Sequence, residues 1–311
     1  MSESMFNVIS EFEPVLHNGH IVRFGKPPSG EAVACLGPVC AELLCEGPDT
    51  CEFISRITSL TPQHLKNGEH QLGFILEHNG KIKVSFDLLK HDNHRVSLFC
   101  SPEERDTLFN ALDMYHFAEA LTLSDGAHQY YMVVFDRDHQ LLNAVKTQLT
   151  LKAWRSNPDV EIRVYQKEHF IQALETVLKQ GGRIDGIEAF EKLRIGLGTG
   201  NWLTEFTSSV TPLDVNALAG IVQQKGCYPG QEVIERTLAI GRPARRLVMV
   251  VGPQFNLGEE VFDTEGHVVG LISSVIEFNE TSMCGLAIVK GRISADNTYK
   301  TETGSLVLRD F

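Results

Sequence analysis

The chain has no Cys-x-x-Cys pair, no long apolar run, no basic excess and no low-complexity tract, and each absence removes a class of function. Its seven cysteines are an odd number, and Cys35, Cys40, Cys45 and Cys51 fall five, five and six residues apart. That spacing suits neither a zinc nor an iron–sulfur site, so these thiols read as structural. His91-x-x-His94 sits in a polar turn and reads the same way. No apolar stretch approaches the roughly 18 residues a membrane span needs. Met1-Ser2-Glu3-Ser4-Met5 is acidic and lacks the basic and apolar regions of a secretory signal, so a cytoplasmic location is the expectation. A net charge of −12 excludes a broad nucleic-acid surface, which would have to neutralise phosphates with Lys and Arg. No membrane contact and no direct nucleic-acid partner are therefore expected.

What is present is an ordinary globular composition: 311 residues, 42% apolar and 22% charged. That length supports two or three domains with ample core. Asp49 predicts an N-cap for a helix to about Leu60. Cys35 lies in an apolar, strand-like run, Ala32 to Leu36. Leu72–Leu76 and Ile82–Leu88 read as strands joined at Asn79-Gly80, a strong hairpin turn. The second strand alternates, with Ile82, Val84, Phe86 and Leu88 on one face and Lys83, Ser85 and Asp87 on a polar one. A strand Arg95–Cys100 precedes Ser101-Pro102, a helix start with Ser at N-cap and Pro at N1. Strands at Tyr130–Phe135 and Glu161–Tyr165 then alternate with helices at His139–Leu149, Glu168–Lys179 and, capped by Asp185, on to Ile195. Such a mixture predicts an α+β layer with an antiparallel sheet. After Gly241-Arg242-Pro243 only short strands remain, separated by glycines and polar turns, which predicts a small β-barrel. The expected division is 1–240 and 241–311. Arg242, Arg245 and Arg246 form a local basic cluster, either a solvated strand start or a seat for an anionic ligand.

Lys225-Gly226-Cys227-Tyr228-Pro229-Gly230-Gln231-Glu232 is the most informative stretch. Gly226 and Gly230 allow positive φ on both sides of Cys227, and Pro229 biases Tyr228 towards extended backbone. Gln231-Glu232 opens a helix to about Leu238. A thiol ahead of a helix N-terminus, with Lys225 nearby, lies in a field that favours thiolate. The same cysteine also fits as a small apolar residue in a tight turn.

These eight residues resemble the K-G-C-Y-x-G-Q-E signature of the YgfZ family, folate-binding relatives of the glycine-cleavage T-protein (aminomethyltransferase). Arg236, Gly241, Arg245 and Leu247 continue the likeness. Gly47-Pro48-Asp49 with Phe53-Ile54, Leu193-Arg194-Ile195…Gly198 and Pro212…Asn216 extend it over most of the chain. The resemblance implies ferredoxin-like α+β modules and a C-terminal β-barrel in a cloverleaf around a channel. It also implies binding of tetrahydrofolate or a one-carbon derivative. The implied role is maintenance of iron–sulfur enzymes or their assembly factors, with an indirect effect on tRNA modification. Cys227 would be the key thiol. Lys225 and Arg236 would stabilise a thiolate or the folate carboxylates. Tyr228 would stack on a pterin or pack, Glu232 would bind a pterin or favour its helix start, and Gln231 and Arg245 complete the implied folate contacts.

The sequence departs from the T-protein at two places. A carboxylate that serves aminomethyl transfer follows that protein's Gly-Gly hairpin, where this chain has Lys83 and Val84. A folate-contacting Glu lies in its L-R-x-E-A-G segment, where this chain has Gly196. One-carbon transfer needs a carboxylate to position the folate nitrogens and steer a proton. The alternative, a transferase on tetrahydrofolate, would need Asp87 or Glu232 in that role. A scaffold that keeps the fold without folate is the third reading.

Overall fold

The computed structural model describes residues 13–17, 20–24, 32–135, 149–151, 160–279, 281–291, 293 and 298–311. In chain order the strands and helices of the first part are β1 (Pro14–His17), β2 (His20–Phe24), β3 (Ala32–Glu46), α1 (Thr50–Ile57), β4 (His70–Leu76), β5 (Ile82–Asp92) and β6 (Arg95–Cys100). They are followed by α2 (Arg105–Asp113), β7 (Thr122–Phe135), β8 (Leu149–Leu151), β9 (Glu161–Gln166), α3 (Lys167–Lys179), β10 (Arg183–Asp185), α4 (Ile187–Gly196) and α5 (Gln231–Ile240). The strands β1 and β2 form a separate hairpin. The others join one eight-stranded sheet in the order β4-β5-β6-β3-β7-β9-β8, with β10 parallel to the start of β3.

Two long antiparallel strands run through this sheet and serve both halves. β7 pairs with β3 from Cys35–Val134 to Glu46–Thr122. The end of β3 pairs with β6, and the end of β7 pairs with β9. In the first half, β3-α1-β5-β6-α2-β7 gives the order β7-β3-β6-β5 of a ferredoxin-like module, with β4 added at the edge. In the second half, β7, β8, β9, α3 and β10 form its companion. The result is the α+β architecture expected from the sequence.

Among the described residues, separate apolar cores hold these parts. Under α1 and α2, Phe53, Ile54, Ile57, Leu108 and Leu112 pack on Val84, Phe86, Leu88, Val96 and Leu98. Each fully buried side chain of this size contributes about 1.5–3 kcal/mol. On the other sheet face a central core takes Phe74, Ile82 and Phe99 from the first module and Ile162, Val164 and Phe190 from the second. It closes over with Trp202, Phe206, Leu213, Ile221, Tyr228 and Ile234. Another core fills the barrel.

That barrel comprises β11 (Arg245–Gly252), β12 (Glu260–Phe262), β13 (Val268–Asn279), β14 (Ser282–Lys290), β15 (Tyr299–Lys300) and β16 (Ser305–Arg309). It closes in the order β11-β14-β13-β12-β15-β16 through the β11–β16 pair. Inside are Val248, Val250, Phe255, Ile272, Val289 and Leu308. Outside, Leu247 and Leu286 pack on Ile195 of α4. Among the described residues no helix is long and apolar enough to cross a membrane.

Several local expectations are corrected. Asp49 occupies the N-cap position of α1 but makes no side-chain cap; its carboxylate accepts from the Ala120 amide at 2.7 Å. The helix stops at Ile57 because Thr58 turns to extended backbone. Ser101 likewise makes no cap and donates to Glu103 instead, and Pro102 opens a single 3₁₀ turn before α2. Asp185 belongs to β10 and pairs with Arg183 at 2.9 Å, leaving Gly186 at the N-cap of α4. The helix expected at His139–Leu149 falls outside the described residues except for Leu149, which starts β8.

Candidate functional site

The signature segment is clamped from both ends. Lys225 is half-buried, and its ammonium donates to the carbonyls of Ser55 (2.6 Å), Thr58 (2.6 Å) and Leu60. These carbonyls belong to the last turn of α1 and the residues just beyond it, where helix carbonyls have no intrahelical donor. The ammonium also meets the negative end of the helix dipole there. Burial pushes the Lys225 pKa down to about 7. The three carbonyl oxygens and the ring of Tyr228, 4.7 Å from the ammonium, oppose that shift by favouring the charged form.

At the other end Gly230 has φ +79° and lies against the β4–β5 turn. A Cβ there would stand 2.5 Å from the Glu77 carbonyl oxygen, and one on Gly80 would stand 2.9 Å from Val233 of α5. Two glycines thus let the signature turn and the hairpin meet backbone to backbone. The expected second glycine hinge is not used: positive φ falls on Gln224 (55°), not on Gly226.

Between the clamps Cys227 is exposed, whereas Tyr228 is buried in the central core. Burial, with Glu235 adding to it, raises the Tyr228 hydroxyl pKa to about 12. The tyrosine borders a cleft of about 220 Å³ with Ile221, Val222, Ile234 and Leu238. Gln231 donates to Glu235 at 2.6 Å and, more weakly, to the Lys225 carbonyl at 3.4 Å. Glu232 and Arg236 pair with each other one turn apart on the exposed face of α5.

Arg245 stands apart from this group. Its guanidinium donates to the Ser209 carbonyl at 3.1 Å and lines a different cleft, beside the barrel. Arg246, its neighbour along the strand, pairs with Asp310 at 3.3 Å, while Arg242 is exposed, so the three arginines do not share one interaction. The structure therefore joins Lys225, Tyr228 and Gln231 on the inner side of the loop and presents Cys227, Glu232 and Arg236 outward.

Two polar constellations were not recognised in the sequence. One lies on the sheet face under the central core. In register across four strands run Asp87, Phe99, Glu42 and Gly126. Both carboxylates are buried, so the polar side of β5 does not face water as alternation suggested. Ser97 donates to Glu42, and the His91 ring nitrogen is 2.8 Å from the same hydroxyl. Burial, then the Arg95 charge, lowers the His91 pKa. The available signal was a set of polar residues at alternate positions of otherwise apolar strands.

The other constellation ties α4 to the barrel. Arg194 is fully buried and reaches Glu205 (3.1 Å), Ser274 (2.8 Å) and Glu191. Glu205, also fully buried, accepts from Ser273 (2.7 Å), Ser274 (2.6 Å), Thr204 (2.6 Å) and the Asn201 amide (3.0 Å). Each charge is surrounded by partners, as buried charge requires. Nearby, Thr211 and Asp214 form a capping box whose Asp214 also accepts from the Arg245 amide at 3.2 Å.

At the two places where the T-protein pattern calls for carboxylates, Lys83 is half-buried and Val84 is fully buried in the core under α1, and Gly196 is exposed with open space around it. The cysteines other than Cys227 and Cys284 are buried, and no cluster of metal-ligating residues occurs among the described residues. Burial alone raises Cys45 to about 12, which suits an inert thiol.

No known family profile matches the chain. Among solved structures it resembles the glycine cleavage system aminomethyltransferase T from Bartonella henselae, with a TM-score of 0.78 at 14% identity. The alignment covers 98% of this chain and 95% of that one. The likeness spans both sheet modules and the barrel, so the chain has the fold of the aminomethyltransferase T-protein.

Proposed function

We propose that this chain is a folate-binding protein of the YgfZ kind, which supports iron–sulfur enzymes or their assembly factors and so affects tRNA modification indirectly. The observation that carries the reading is the signature loop itself. Lys225 and Gly230 fix it to two elements of the first module, yet Cys227 faces solvent. A thiol kept for packing would be expected inside, as the cysteines of β3 are. A rigid loop that presents a thiol outward suits chemistry with a partner or a bound one-carbon unit. The T-protein fold supports tetrahydrofolate as the ligand class, because the solved neighbour is an aminomethyltransferase. On this reading Tyr228 and Gln231 line the ligand side, Lys225 holds the loop, Glu232 and Arg236 offer polar groups around it, and Arg245, on the other cleft, takes no part.

Aminomethyl transfer is the second reading. Asp87 is buried beneath the central core, and Glu232 is paired with Arg236 on an exposed helix face. Neither replaces the carboxylates missing at Lys83-Val84 and Gly196. Turnover is therefore expected to be absent when an aminomethyl donor protein and saturating tetrahydrofolate are supplied. Release of ammonia and methylene-tetrahydrofolate would establish the transferase instead. The thiol is tested in cells lacking the endogenous activity: Cys227→Ala should fold normally and fail to restore iron–sulfur enzyme activity. Full restoration by the alanine variant would remove Cys227 from the account.

A further inference from the structure

A second cleft, of about 450 Å³, opens between the outer wall of the barrel and residues 203–210. Its volume falls in the range of small-molecule sites, and junctions between domains are a common place for them. Its walls include Leu257 and Leu271, which are 66% and 49% exposed, together with Leu203 and Val268. Exposed apolar side chains grouped around one cleft, unlike ones scattered singly, mark a ligand-binding groove. Leu203 also has φ +60°, a left-handed backbone that costs a non-glycine residue roughly 1–2 kcal/mol and here accompanies a leucine on the wall.

The cleft has a charged end. Arg245 of β11 and Lys290 of β14 lie directly opposite each other in the antiparallel ladder, and both line the cleft. Like charges in that position destabilise a sheet. Among the described residues neither forms an ion pair. Arg245 gives one hydrogen bond to the Ser209 carbonyl and retains further donors. Glu260 lines the same cleft from β12, but β13 lies between it and β14, which puts the strands roughly 10 Å apart.

We infer that this cleft binds a small amphipathic anion, its carboxylate or phosphate held between Arg245 and Lys290 and its apolar body against Leu203, Leu257, Val268 and Leu271. The anion would neutralise the opposed cations and cover the exposed leucines. This inference stands apart from folate binding by the signature loop.

Octanoate and octanol serve as probes of the full chain, the second lacking only the charge. Calorimetry should show octanoate binding at least tenfold tighter than octanol. Lys290→Ala alters an exposed side chain and relieves the opposed charges, so it should not lower the unfolding midpoint while weakening octanoate at least fivefold and leaving octanol unchanged. Leu271→Asp should weaken both probes. Octanoate should bind equally well in the presence of saturating tetrahydrofolate. Equal affinity for the two probes, no effect of Lys290→Ala, or displacement of octanoate by tetrahydrofolate would each overturn a separate anion site.

Discussion

Lys225 shows how one side chain can serve local structure within a motif read for chemistry. The sequence placed it beside a reactive thiol; the structure directs its ammonium to three carbonyls at the end of α1. Lys225→Met should leave those acceptors without their donor and destabilise the fold by about 1–3 kcal/mol, measured as a lower urea midpoint. That destination depends on a contact about 165 residues away in sequence, between Lys225 and Leu60, which no local pattern encodes. Cys227 is different: its place between two glycines was legible, whereas its exposure, unlike the buried cysteines of β3, comes from the structure alone. Glu104 adds a pH-dependent feature. Burial, with Glu103 beside it, raises its pKa to about 7. The folded state therefore holds more protons than the unfolded state between about pH 4.5 and 7, and this group's contribution to stability falls as pH rises through that window. Glu104→Gln should gain stability relative to wild type as pH rises from 4.5 to 7; a difference that does not change with pH would contradict the assignment.

At the scale of elements, the hairpin at Asn79-Gly80, the strand Arg95–Cys100 and the helix after Pro229-Gly230 were all legible because turn residues bracket strong periodicity. The length of β3 was not. The strand-like run read from the sequence ended at Leu36, yet the strand runs on to Glu46 because the β3–β7 register shifts between Leu36 and Val39, where Pro38 need not donate to the ladder. Asp87 was misread for a related reason. Alternation separates two faces, but both are covered here, one by α1 and α2 and the other by the central core. The contact between Gly80 and Gly230 determines how the signature loop sits on the first module. Gly230→Ala should cost about 1–2 kcal/mol from its positive φ alone, and more from the 2.5 Å approach to Glu77. Gly226→Ala meets open space and should be nearly neutral, both variants being compared with wild type by thermal unfolding.

At the scale of the whole molecule, the sheet modules and the barrel are joined by buried charge as well as by apolar contact. Arg194 and Glu205 were invisible as a pair because the group that bonds both, the Ser274 hydroxyl, lies on β13, as does Ser273, which donates to Glu205. Glu205→Ala should leave Arg194 with Glu191 as its remaining carboxylate and strand the buried donors that faced Glu205, destabilising the protein by about 3–5 kcal/mol in equilibrium denaturation. Retention of wild-type stability would mean that the barrel docks through Ile195, Leu247 and Leu286 alone. The architecture itself was legible through strand and turn periodicity and through a signature of eight residues, and its match to an aminomethyltransferase extends over nearly the entire chain. The most direct test of the functional account is calorimetric titration of the wild-type protein and Cys227→Ala with tetrahydrofolate. The account predicts micromolar binding by both, with the thiol reserved for a later step. Absence of binding by the wild-type protein at millimolar tetrahydrofolate would contradict it.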